Sequence, residues 1–175
     1  MSQYDFTLKF ALVQDDTDPE AFVERLLAEG CDDALIGVGQ CGRIALNFTR
    51  EASSASKAIL TALSDVQRII PGARLIEASP DFVGLTDIAN LLGFSRQHMR
   101  KLVMKNGARF PLPVHDGKPA IWHLATVLTW FRDEKGRKLN GSLLEVSRVA
   151  MQCNLIKETA GLDHKISDRL RQFVV

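Results

Sequence analysis

The stretch TDIANLLGFSRQHMRKLVMKNG, residues 86–107, admits few folds. Ile88, Leu91 and Leu92 recur at spacings of three and four, the period of one helix face, and Ala89 is small enough for a second helix to cross closely. Gly93 then supplies a backbone conformation that a residue with a Cβ resists. Ser95 is a natural N-cap for a following helix, and Phe94 and Met99 are placed to clamp its entry as a hydrophobic staple. The second helix is expected to bury Met99, Leu102 and Val103. These features predict two short helices joined by a tight turn, a helix-turn-helix.

The other side of the second helix carries Arg96, Gln97, His98, Arg100, Lys101 and Lys105. Arginine can present a two-pronged donor to guanine, and glutamine can both donate to and accept from adenine, so a helix opening Ser95-Arg96-Gln97 suits the major groove of DNA. His98 can assist there, neutral or protonated. Lys101 and Lys105 suit phosphates, which set register and affinity without reporting sequence. An isolated basic helix is more often a solvated face on a structural element. The turn before this one and the hairpin after it favour the nucleic-acid expectation.

That hairpin is FPLPVHDGKPAIW, residues 110–122. Asp116-Gly117 predicts a two-residue turn, and Pro111, Pro113 and Pro119 restrict the flanking segments to edge or bulged strands. The expected product is a wing, with His115 and Lys118 flanking its tip within reach of phosphates or the minor groove, and Trp122 packed beneath. Leu124, Val127, Leu128 and Phe131 then predict a third helix closing a small core.

The run LTDIANLLGFSRQHMRKL, followed by FPLPV, a glycine-containing turn, IWH and VLTWF, resembles the AlpA/excisionase-type branch of the MerR-like winged helix-turn-helix proteins, which are phage and bacterial DNA-binding regulators. The resemblance covers residues 82–134 and is most specific in the FPxP segment at 110–113 and the tryptophan-bearing close at 122–130. It implies that residues 95–105 lie in the major groove with the hairpin beside them. Such proteins are often little more than this module, whereas about eighty residues precede it here.

Those preceding residues have a different pattern. Phe6, Leu8, Phe10 and Leu12 alternate with polar neighbours, which predicts a half-buried strand. Asp18-Pro19-Glu20 reads as an N-cap with proline at the first helical position, and Phe22, Val23, Leu26 and Leu27 give that helix a buried face. A strand at 34–38, a turn at 39–42 and a strand bearing Ile44, Leu46 and Phe48 predict a hairpin. Ser53 or Ser54 caps a helix carrying Ile59, Ala62, Leu63, Val66 and Ile70, which Pro71-Gly72 stops, and 73–78 forms a fourth strand. The order strand, helix, strand, strand, helix, strand predicts a ferredoxin-like βαββαβ sandwich over residues 1–79. With a winged helix-turn-helix at 80–138 and C-terminal helices at 139–175, the expected class is α+β. In the tail, Ser142 and Glu145 read as a capping box, Val146, Val149, Ala150, Cys153 and Ile156 as one helical stripe, and Leu162, Ile166, Leu170 and Phe173 as another.

Charge is divided between these parts. Residues 1–81 hold seven Lys/Arg against thirteen Asp/Glu, a net −6, whereas 82–140 hold ten against four, a net +6. Positive charge thus concentrates where DNA contact is expected. The acidic front half would be repelled by a polyanion, so it is expected to project away from the duplex or to meet a basic protein partner. Cys31, Cys41 and Cys153 are too scattered for a disulfide scaffold and have no metal-ligand spacing with the histidines, so free thiols in a reducing cytoplasm are expected. Asp15, Asp16 and Asp18, with Asp32 and Asp33, could hold a divalent cation. Solvated acidic loops account for them more simply. No apolar run approaches membrane-spanning length, and no nucleophile, base and orienting residue combine into a catalytic site.

The sequence therefore predicts a cytoplasmic, non-enzymatic, sequence-specific regulator of transcription, a repressor in the simplest case. It needs no cofactor and binds double-stranded DNA through Ser95, Arg96, Gln97, His98, Arg100, Lys101, Lys105, His115 and Lys118. A homodimer is favoured because such proteins commonly bind paired half-sites, with packing of the tail within one chain close behind. Two alternatives stay open. One is an antitoxin-like interaction protein with DNA-binding autoregulation, and the other an excisionase-like DNA-bending protein.

Overall fold

Strand β1, Ser2–Ala11, follows from the alternation that marks it: Tyr4, Phe6, Leu8 and Phe10 point inward and are no more than 4 % exposed. The computed structural model describes residues 1–12 and 19–174. Strand β3, Arg43–Ala52, lies antiparallel to β1 in a register that sets Phe6 opposite Phe48 and Leu8 opposite Leu46, and the two phenylalanine rings stack with centroids 5.1 Å apart. Strand β2, Ala34–Gln40, pairs with the far side of β3, and β4, Arg74–Ser79, with the far side of β1. The sheet is antiparallel throughout, in the order β2-β3-β1-β4. The fold is mixed α+β, with this four-stranded sheet and seven α-helices among the described residues.

Helices α1, Glu20–Ala28, and α2, Ala55–Ile69, cover the apolar face. Ser54 is the N-cap of α2, accepting from the Lys57 N–H at 3.2 Å, and Ala58, Ile59, Ala62, Val66 and Ile69 form its buried stripe. Helix α1 is shallower than expected. Only Leu26 is buried, Phe22 and Val23 are half-buried, and Leu27 is 42 % exposed, because nine residues offer little more than one inward-facing row. The β2–β3 turn is also tighter than expected: only Cys41 and Gly42 lie between the strands, and Gly42 takes the positive φ of +71°. The Asp18 cap and the Asp15-Asp16 cluster fall outside the described residues. Burial pushes the Cys31 thiol up to about 11, so it stays protonated at neutral pH.

Arg50, at the end of β3, is only 8 % exposed. Its guanidinium donates to both oxygens of Asp33 at 2.7 and 3.0 Å, to Asp65 at 2.9 Å, to the Thr61 hydroxyl at 3.2 Å and to the Gly30 carbonyl at 2.8 Å, and it lies 4.9 Å over the Phe48 ring. Burial alone would lower its pKa, but the two carboxylates outweigh that and hold it up. Asp33 is thereby committed to an ion pair and not to a cation site. Removing the guanidinium leaves two carboxylates and a carbonyl facing a cavity, so Arg50→Ala should cost about 3–5 kcal/mol in urea unfolding.

A second core follows Pro80. Strand β5, Phe82–Val83, pairs with β6, Trp122–His123, and three helices pack around that ribbon: α3, Leu85–Leu92, α4, Arg96–Asn106, and α5, Leu124–Lys135. Ile88, Leu92, Met99, Phe110, Trp122, Val127, Leu128 and Phe131 fill it.

Helix α6, Gly141–Thr159, joins the two cores. Leu144 packs in the second core, while Val146 and Ala150 are buried in the first, with Val149 and Cys153 against them. Its stripe is thus covered within one chain as far as Cys153, and Ile156, expected in the same stripe, is 69 % exposed. The helix begins two residues earlier than the Ser142 cap predicts: Asn140 is the N-cap, and Glu145 accepts instead from the Tyr4 hydroxyl at 3.1 Å. Helix α7, His164–Val174, has no buried residue, and Ile166, Leu170 and Phe173 are 57 %, 53 % and 82 % exposed. No helix among the described residues is long and apolar enough to cross a membrane.

A polar junction fixes the two cores together. Asp81, 1 % exposed, takes the His123 ring nitrogen on one carboxylate oxygen at 2.7 Å and the Asn154 amide on the other at 2.8 Å, while its carbonyl accepts from Leu124 N–H at 2.7 Å. Asn154 also pairs with the Ala78 backbone in both directions, at 2.8 and 2.9 Å. Asp81→Ala would strand the Asn154 and His123 donors, and a loss of about 2–3 kcal/mol in denaturant unfolding is expected.

Candidate nucleic-acid interface

The connection between α3 and α4 is built by its glycine. Gly93 has φ +67°, and its N–H and that of Phe94 return to the carbonyls of Asn90 and Ala89 at 3.3 and 2.8 Å, the Schellman pattern that ends a helix. Ser95 caps α4 by accepting from the His98 N–H at 3.1 Å. The buried face of α3 is Ile88, Ala89 and Leu92, so Ala89 belongs to the core, whereas Leu91, expected there, is 46 % exposed.

Arg137 also holds this turn. Its guanidinium donates to the Leu92 carbonyl at 2.6 Å and lies 4.6 Å over the Phe94 ring, so a residue in the link after α5 fastens the end of α3. Sequence periodicity gives no sign of this, because Arg137 lies in a charged, glycine-bearing connection without a helical phase.

Helix α4 separates its two sides. Met99 is fully buried and Leu102 and Val103 are half-buried, while Ser95, Arg96, Gln97, His98, Arg100, Lys101 and Lys105 are all exposed. Arg96, Gln97, Arg100, Lys101 and Lys105 form no ion pair or side-chain hydrogen bond with any other described residue. His98 differs: its ring stacks on Phe94 at 4.8 Å, which ties it to the turn. A shallow groove of about 340 Å³ runs between α4 and the end of α5, lined by His98, Lys101, Lys105, Asn106 and Lys135. Lys135 sits 4.7 Å over the Trp130 ring and donates to the Asn106 side chain at 3.3 Å, so it arrives at this groove already oriented. It adds a cation from α5 to the surface that α4 presents.

The hairpin beside α4 is looser than a two-residue turn. A single bridge, His115 to Ile121, closes it, with His115 N–H and carbonyl both engaged to Ile121, so five residues form the tip. Pro113 and Pro119 lack the N–H groups that would extend the ladder. His115 and Lys118 are exposed, and the His115 ring lies across the turn, where a Cβ on Gly117 would come within 2.2 Å of Nε2. Trp122 is buried beneath, donating to the Pro111 carbonyl at 3.0 Å, with Phe110 edge-on to it and to Trp130. Leu112 and Val114, 80 % and 53 % exposed, leave an apolar edge on the arm leading to the tip.

Among the described residues no group of three or more His, Cys, Asp or Glu side chains could hold a metal ion. No protein-family model matches this chain, and no curated protein or solved structure shows significant similarity to it. The surface has therefore to be judged on its own chemistry: an exposed set of cations and amides on a short helix, its phase fixed by Gly93, Ser95 and Arg137. Gly93→Ala forces a side chain into the left-handed region and should cost about 1–2 kcal/mol, read as a lower urea midpoint.

Proposed function

We propose that this protein is a sequence-specific, double-stranded DNA-binding transcriptional regulator acting as a repressor. On this proposal residues 82–134 form a winged helix-turn-helix of the AlpA/excisionase-type, MerR-like kind. Helix α4 enters the major groove, where Arg96, Gln97 and Arg100 meet base edges, and Lys101, Lys105 and Lys135 meet phosphates. His115 and Lys118 brace the adjacent backbone from the wing. Residues 1–79 form a ferredoxin-like sandwich, an assignment supported by the strand order β2-β3-β1-β4 and by helices on one face only.

The observation that carries the proposal is the outward face of α4. Its arginines, amide and lysines are exposed and without partners among the described residues, on a helix whose other side is anchored by fully buried Met99. A helix serving structure alone gains nothing from so many uncompensated cations on one face. Helix α7 supports a homodimer, because its exposed Ile166, Leu170 and Phe173 make a stripe that a second copy would cover, matching paired half-sites.

Selection of bound fragments from random DNA should return a motif with two related halves. Against that motif, Arg96→Ala or Arg100→Ala should lose about 1–3 kcal/mol and relax the preference at one base pair, whereas Lys105→Ala should weaken every sequence alike and lower the salt slope by about one. Unchanged affinity in an Arg96, Gln97 and Arg100 triple alanine variant would overturn the assignment of α4.

A further inference from the structure

An open cavity of about 470 Å³ lies where the end of α5, the link after it and the first turns of α6 meet. Four cationic side chains line it, Arg132, Arg137, Lys138 and Arg148, against one acid, Glu145. Arg132 is held by Asp133 in a two-pronged pair at 2.6 and 3.1 Å. The other three have no carboxylate partner within 4 Å among the described residues. Arg137 is spent on the Leu92 carbonyl and the Phe94 ring, Arg148 donates to the Thr129 hydroxyl at 3.4 Å and lies near enough to Asp133 to act on it through charge but forms no ion pair with it, and Lys138 makes no hydrogen bond with any described residue. Glu145 is engaged by the Tyr4 hydroxyl.

We propose that this cavity is a phosphate-binding site, with Lys138 and Arg148 as its principal ligands and Arg132 and Arg137 supplying the surrounding positive potential. Concave cationic walls concentrate field and suit a compact multivalent anion better than a single carboxylate. The phosphate has two possible sources of one chemistry: the backbone of a duplex continuing past the groove at Lys135, or a small phosphorylated ligand. In either case the bound group bridges α5, the link that fastens the α3–α4 turn, and α6, which lies on the sheet. Occupancy would therefore stiffen the connection between the two cores. The inference does not depend on the DNA proposal, because the site is defined on the protein alone.

Titration of the full chain with inorganic pyrophosphate, in buffer free of other oxyanions, tests it. Binding in the millimolar range or tighter is expected, weakened at least about tenfold in Lys138→Ala/Arg148→Ala and in the bulkier Lys138→Gln/Arg148→Gln pair, and unchanged in Lys57→Ala on distant α2. Circular dichroism of each variant verifies that it is folded. If pyrophosphate competes with a duplex, and the double variants lower the salt slope of duplex binding by roughly two, the natural phosphate is that of DNA. If pyrophosphate still binds to the duplex-saturated protein, the natural ligand is a free phosphorylated molecule. Pyrophosphate binding without any duplex binding would sink the DNA proposal and leave this one standing. Absence of binding up to roughly 10 mM, or equal binding by wild type and both double variants, would overturn it.

Discussion

The carboxylate of Asp81 has almost no contact with water, and an unpaired charge in that position would cost several kcal/mol. It is tolerated because His123, at the start of α5, and Asn154, on α6, each fill one of its oxygens. The same asparagine occupies the backbone groups of Ala78, so it also pairs one residue on the outer edge of β4. One buried acid therefore ties sheet, ribbon and α6 together. Helix α4 is carried on a body whose orientation to the sheet is specified by hydrogen-bond geometry and not left to a tether.

Helix α6 continues this arrangement with apolar contacts. By contributing Leu144 to one core and Val146 and Ala150 to the other, it makes the two packing problems interdependent. The front half, net −6 over residues 1–81, and the second unit, net +6 over residues 82–140, are thereby joined through one shared helix. Arg50 manages the acidic side from within, gathering Asp33 and Asp65 under the sheet.

Much of this was legible beforehand because it is local. Alternation at Phe6, Leu8 and Phe10 gives a strand with a known inward face, and Gly93 followed by Ser95 gives a helix end and a helix start whatever surrounds them. Local pattern does not reach outcomes that depend on distant partners. The stripe on α6 was visible, but periodicity does not say which surface covers it. In α3, Ala89 and Leu91 flank the Ile88 and Leu92 row on opposite sides, and the core lies on the side of Ala89, which a spacing of three and four from Ile88 does not reveal. Asp116-Gly117 favours a tight turn, yet the missing proline donors around it permit only one bridge. Arg50 and Arg137 looked like ordinary charged residues, since nothing in their immediate neighbours announces the carbonyls and rings they reach. The function assigned to α4 is a proposal of a different kind, resting on exposed chemistry and on the resemblance of residues 82–134.

Both tryptophans, Trp122 and Trp130, belong to the second core, and the chain's one tyrosine, Tyr4, lies in β1 with its hydroxyl on α6. The molecule thus carries separate built-in chromophores for its two halves. Indole emission follows the neighbourhood of α4 and the 110–122 hairpin, while the phenol signal follows the seam between sheet and α6. Any loosening of one half before the other can be seen by light alone, without a label.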